Sequence, residues 1–164
     1  MTPPIDPGVD IGHVHLKVSD LERSLDFWRD VLGFEVQAQI GDQAAFISAG
    51  GYHHHIGLNT WESRGGEPPP AHTTGLYHVA VRYPTREALA DALHRVLEAG
   101  IRLSGASDHG ASEALYLRDP DDNGVELYWD RPRDEWPKRP GGGWDIYTAP
   151  LDVRSLLELG TEPT

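Results

Sequence analysis

Cysteine is absent from this 164-residue chain, which excludes disulfides, thiolate metal sites and cysteine nucleophiles. No apolar run approaches the length of a membrane span. Basic residues are scarce: 14 Lys and Arg stand against 26 Asp and Glu, for a formal net charge of −12. That balance argues against a nucleic-acid backbone or an anionic membrane surface as partner. Residues 1–10 form a polar, proline-rich lead with neither the basic flank nor the apolar core of a signal, so the expected location is the cytoplasm. Histidine, by contrast, is abundant. Of nine, six fall in or beside two strand-like segments and the run His53-His54-His55, whereas His72 and His94 read as surface residues.

The two strand-like segments are copies. Gly12-His13-Val14-His15-Leu16-Lys17-Val18 is echoed about 65 residues later by Tyr77-His78-Val79-Ala80-Val81-Arg82-Tyr83. In the first copy, Ser19-Asp20-Leu21-Glu22 supplies a capping side chain and an acidic first turn. The stripe Leu21, Leu25, Trp28, Val31 and Leu32 then has helical spacing, and Gly33 closes the helix. Strands are predicted over 11–18, 34–39, 44–49 and 53–60. The Gly/Pro-rich stretch 63–74 serves as linker. The second copy predicts a strand over 76–83, a helix over 86–99 ended by Gly100, and strands near 102–104, 113–118 and 124–129. The expected fold is α+β: one domain over 11–131, made of two paired βαβββ modules (11–62 and 75–131) whose curved sheets form a cleft. Residues 132–164 are a tail with a short helix over 151–159.

Strand alternation sorts the side chains. Val14, Leu16 and Val18 meet the first helix and leave His13, His15 and Lys17 opposite. Val79, Val81 and Tyr83 leave His78, Ala80 and Arg82, and Val125 and Leu127 leave Gly124, Glu126 and Tyr128. Tyr116 faces the same way, between Leu115 and Leu117. One surface thus collects His13, His78, Glu126, Tyr116 and His15. Two imidazoles and a carboxylate make a facial set for a divalent metal with positions left open. The fourth position related by the repeat is Gly57, which has no side chain. The same residues also admit a structural role, with the histidines hydrogen-bonded in the core and Glu126 paired to Arg82.

The run from Gly12 to Phe34, with Asp119-Pro120-Asp121-Asp122-Asn123-Gly124-Val125-Glu126-Leu127, resembles the vicinal oxygen chelate superfamily. That superfamily includes glyoxalase I, bleomycin- and fosfomycin-resistance proteins and extradiol ring-cleaving dioxygenases. The resemblance covers residues 11–131 and maps the family's metal ligands onto His13, His78 and Glu126. Three further segments resemble catechol 2,3-dioxygenase-like proteins: Tyr52 to Trp61, Ser107-Asp108-His109-Gly110, and Tyr116 ten residues before Glu126. The resemblance implies His54 as an acid/base near dioxygen, with His55 as the alternative because strand alternation puts His54 on the face of Ile56 and Leu58. It implies His109 and Tyr116 as substrate-orienting residues. The implied cofactor is Fe(II), with Mn(II), Zn(II) or Ni(II) as alternatives. The implied partners are a small aromatic diol, dioxygen and a second copy of the chain in a homodimer. A glyoxalase-type or resistance-type isomerase or transferase, and a metal-free ligand-sequestering protein, share the same fold.

Overall fold

Asp20 starts the first helix in the computed structural model, which describes residues 3–161. Its carboxylate accepts the Arg23 amide hydrogen at 2.8 Å and caps α1 (Leu21–Leu25). The helix then widens into a π-helical stretch, Asp26–Val31, in which the Leu32 amide donates to the Phe27 carbonyl at 3.0 Å. A π turn holds more residues than an α turn. The apolar stripe therefore drifts, so that Phe27 is buried beside Trp28 while Val31 is only half-buried.

The chain divides into two compact units, Met1–Glu67 and Pro68–Thr164. Each has the element order strand, helix, then three strands, which is the βαβββ order expected. In the first unit β1 (Val14–Lys17), β2 (Glu35–Ile40), β3 (Ala44–Ser48) and β4 (Ile56–Asn59) form a sheet in the order β1-β4-β3-β2. The β1–β4 pair is parallel and the others are antiparallel. Leu16, Val18, Leu21, Leu25, Trp28, Ile47, Ile56 and Leu58 make the core between helix and sheet.

In the second unit, β5 (Val79–Tyr83) is followed by α2 (Arg86–Glu98), capped by the Thr85 hydroxyl, which accepts the Ala88 amide hydrogen at 3.1 Å. Then come β6 (Gly105–Asp108), β7 (Ser112–Arg118) and β8 (Gly124–Asp130). The sheet order is β5-β8-β7-β6, extended beside β6 by a strand β9 (Ala149–Pro150), with β5 and β8 parallel. Leu89, Leu93 and Val96 of α2 are buried, as are Leu115, Leu117, Val125 and Leu127 of the sheet. Tyr83 is part of the same packing, and burial pushes its phenol up to about 12.

Three expectations need correction. The strand expected near 102–104 lies at Gly105–Asp108, where pairing to β7 overrides a Gly-Ala-Ser-Asp sequence with little intrinsic strand preference. The histidine run is not strand: β4 begins only at Ile56, although the His55 amide and carbonyl already bond to Ile47 and Val14. His94 is not a free surface residue, because its Nε2 lies 2.9 Å from the Leu157 carbonyl. The tail adds a two-residue edge strand, β9 (Ala149–Pro150), and a helix α3 (Val153–Leu157), shorter than the expected 151–159 and continued by a 3-10 turn, Glu158–Thr161. Among the described residues, no helix is long and apolar enough to cross a membrane.

A chain of alternating charges ties this unit together. Arg131 forks onto both carboxylate oxygens of Asp108 at 2.8 and 2.9 Å and reaches Glu113 at 3.0 Å. Glu113 also receives Arg86 at 2.7 Å, and Arg86 reaches Ser155 of α3 at 2.9 Å. The Arg131 hydrogen bond holds the Asp108 carboxyl below the usual carboxylate range, against a smaller opposing push from burial. A depressed folded-state pKa contributes stability above the unfolded value near 3.9 and loses it as pH falls through the folded value. Burial shifts Asp119 the other way, so that residue works against acid unfolding. Asp108→Asn is therefore expected to lower the melting temperature at neutral pH and to narrow its gap from wild type below about pH 4. Melting curves from pH 2 to 7 check this, and a gap that does not narrow in acid would refute the assignment.

Candidate metal and substrate site

The second unit holds a cleft of about 520 Å³ whose lining includes His78, Ser107, His109, Tyr116 and Thr148. Sheet register builds it. Ala80 on β5, Glu126 on β8, Tyr116 on β7 and Gly105 on β6 are successive cross-strand neighbours. Alternation turns this row away from the helix face, and the two small residues flank the two functional ones. His78 stands one residue before β5, opposite the start of β8. A side chain at Gly124 would strike the Tyr77 carbonyl and the His78 Cβ, so only glycine lets that imidazole come in over β8.

Three side chains of the cleft, His78, Tyr116 and His109, are linked to one another or to Glu126. His78 Nε2 lies 2.9 Å from Glu126 Oε2. Tyr116 Oη donates to Glu126 Oε1 at 3.2 Å and lies 2.7 Å from His109 Nε2. His109 Nδ1 is 2.7 Å from the Tyr147 carbonyl oxygen. A carbonyl has no hydrogen to give, so Nδ1 carries the proton of that bond. The phenol has a single hydrogen, for which His109 Nε2 and Glu126 compete. Burial, then the nearby Glu126 charge, pushes the Tyr116 phenol up to about 12. Arg82, the alternative partner weighed for Glu126, pairs with Asp130 at 3.5 Å instead.

The first unit carries the other histidines. His13 is exposed, one residue before β1, and its ring centroid lies 4.3 Å from that of His54. His54 also packs on Phe46 at 5.2 Å and shares a 2.8 Å Nδ1–Nδ1 contact with His53. His55 turns elsewhere: it stacks on Tyr52, and its Nδ1 accepts the Ala49 amide hydrogen at 3.3 Å. The alternation conflict over this run disappears because residues 52–55 lie outside any strand. His15 sits over Gly57, its register partner, and a Cβ at position 57 would come within 2.9 Å of the imidazole. Burial first, then the charges of neighbouring histidines, hold His54 and His15 below the ordinary histidine value. Both are thus neutral at pH 7, the form in which an imidazole binds metal or accepts a proton.

Among the described residues, no three His, Asp or Glu are grouped closely enough to hold an ion. The structure brings together His78, Glu126, Tyr116 and His109 in one unit, and His13 with His54 in the other. The His78–Glu126 pair suits a divalent metal by donor chemistry, one imidazole and one carboxylate facing each other in a cleft. The buried Nδ1 of His78 has no hydrogen-bond partner, whereas Nε2 faces the Glu126 carboxylate, which only accepts, so Nε2 carries the proton of that contact.

The model of the Glyoxalase/Bleomycin resistance protein/Dioxygenase superfamily matches residues 10–127. The chain belongs to this superfamily. Its relatives include the catechol-2,3-dioxygenase of Bacillus subtilis (strain 168), 42% identical over 149 residues, 90% of this chain and 51% of the relative. Biphenyl-2,3-diol 1,2-dioxygenase 3 of Rhodococcus globerulus is 33% identical over 123 residues, 73% of this chain and 63% of the relative. The chain thus spans about half to two thirds of these curated relatives. A crystal structure of a glyoxalase/dioxygenase from Nostoc punctiforme shares the fold at TM-score 0.64 and 18% identity, covering 80% of this chain and 99% of that one.

The sequence pattern missed two contributors around His109, the Tyr147 carbonyl that bonds it and Thr148, which lines the cleft. A main-chain carbonyl has no residue signature, and the tail that supplies it shows no strand periodicity. The superfamily repeat itself gives no hint of them, because both lie beyond its matched residues.

Proposed function

We propose that this superfamily member is an Fe(II)-dependent extradiol dioxygenase that cleaves a catecholic ring beside its two hydroxyls. The observation carrying this reading is the linked row His78, Glu126, Tyr116 and His109, of which His78, Tyr116 and His109 line one cleft. The 42% identity to a protein named catechol-2,3-dioxygenase supports it. His13, His78 and Glu126, the ligands that the family resemblance implies, would hold the metal. Bound there, the metal would act as a Lewis acid that acidifies a catechol hydroxyl and gives diol and dioxygen a common place to meet.

The protein groups then have separable tasks. Tyr116 Oη, raised well above neutrality, stays protonated and offers a hydrogen bond to a substrate oxygen in place of the one it gives Glu126. His109 accepts through Nε2 the proton that leaves the diol, directly or by way of Tyr116. His54, kept neutral by burial and by its histidine neighbours, handles protons on the oxygen side.

Anaerobic loading with Fe(II), followed by air and a panel of catechols, tests the reading. Oxygen uptake matched by yellow ring-cleavage product and lost on chelation is the expected result. Tight metal retention without uptake on any catechol would overturn it in favour of isomerase or transferase chemistry. Failure to retain metal would overturn it in favour of a ligand-binding role.

A further inference from the structure

The tail beyond the superfamily repeat is clamped on both sides of Tyr147. Upstream, the Asp145 amide donates to the Pro137 carbonyl at 2.8 Å. Downstream, β9 pairs with β6 through Asp108↔Ala149 and Ser107↔Pro150. Beyond that, α3 is held by Arg86 on Ser155, by His94 at the Leu157 carbonyl and by the buried Leu156. The Tyr147 ring lies on Gly110. A Cβ there would come within 2.6 Å of Tyr147 Cε1 and 2.7 Å of Pro137 Cγ, at a φ of +76° that already favours glycine. Gly110 thus gives the tail a seat one residue after His109. From that seat the Tyr147 carbonyl meets His109 Nδ1 at 2.7 Å, with the Thr148 hydroxyl 3.4 Å from the same nitrogen.

We propose that the tail is part of the site's machinery: the Tyr147 carbonyl locks His109 as its Nδ1–H tautomer and reserves Nε2 for Tyr116, making Tyr147 a positioning residue. Which imidazole nitrogen carries the proton is set by the partner of the other nitrogen. A carbonyl only accepts, so as long as the seat is kept Nδ1 remains the donor. The nitrogen facing the cleft is then an acceptor whenever the ring is neutral. Without the tail, Nδ1 would face water and the ring would be free both to rotate and to exchange tautomers. The kinetic consequence rests on the ring-cleavage reading above, whereas the tautomer does not.

The test uses the full chain labelled with 15N-histidine, its His109 signals assigned by their loss in His109→Gln, at a pH where the ring is neutral. A protonated, pyrrole-type Nδ1 and a bare, pyridine-type Nε2 are expected. The opposite tautomer, or averaged shifts, would overturn the proposal whatever reaction the protein performs. Tyr147→Gly, which removes the ring from its seat, is expected to average the two nitrogen signals. On the substrate found by oxygen uptake, kcat should fall about tenfold with KM nearly constant, the lower end of what losing a partner behind a functional histidine costs. Tyr147→Phe, which keeps the ring, should restore both. An unchanged His109 spectrum in Tyr147→Gly would overturn the tail's role. If that variant does not fold, the wild-type spectrum alone still decides the tautomer.

Discussion

Replacing Glu126 with alanine is expected to abolish iron retention and to lower ring cleavage by at least about a hundredfold. The carboxylate touches both His78 Nε2 at 2.9 Å and Tyr116 Oη at 3.2 Å. Its removal deletes the only carboxylate of the proposed ligand set, and imidazoles alone would hold a divalent ion less firmly. It also leaves the Tyr116 hydrogen to His109 alone. The backbone of β8 is unaffected, because Glu126 points to the cleft while Val125 and Leu127 remain in the core. The thermal stability of the metal-free protein should therefore move little. Metal content by elemental analysis, oxygen uptake and a melting curve separate the outcomes. Full activity with retained iron would remove Glu126 from the ligand set.

Glu113→Ala has the opposite signature, a large expected loss of stability through residues outside the proposed metal site. Glu113 is 6% exposed and sits between Arg86 and Arg131 at 2.7 and 3.0 Å. Deleting it leaves two partly buried guanidinium groups facing each other without their shared counter-charge. Breaking a buried pair by removing one partner costs several kcal/mol. Both arginines keep some solvent contact, so a loss on the order of 3 kcal/mol, near the bottom of that range, is expected. Arg86 also holds Ser155, so the change should loosen α3 and, through the tail, the seat of Tyr147. Urea titration measures the loss. A shift below about 0.5 kcal/mol, typical of exposed pairs, would mean that the network adds nothing beyond surface electrostatics.

Reading the sequence recovers one kind of structure well and another hardly at all. Period-two alternation placed Glu126 and Tyr116 on one face, and the register β8–β7 puts them side by side. Capping chemistry located the first helix start at Ser19-Asp20-Leu21-Glu22, where Asp20 is the cap. The βαβββ order follows from punctuation by glycine and proline. Local pattern failed where a distant partner decided the outcome. β6 is defined by β7 and β9 rather than by its own Gly-Ala-Ser-Asp, and His54 is set apart from His55 by its packing on His13 and Phe46.

The sequence by itself determined the repeat, the α+β class, the family and the residue types from which a metal set can be drawn. Each of these depends on neighbours a few residues apart or on a pattern that recurs. The tertiary structure decided which nitrogen of His109 holds its proton, why Gly110 and Gly124 must be glycines, and how Asp108, Glu113, Arg86 and Arg131 neutralise one another. Those features join residues 18 to 47 positions apart, among them a side chain and a main-chain carbonyl. Such contacts exist only after the chain has closed on itself, and no local preference encodes them.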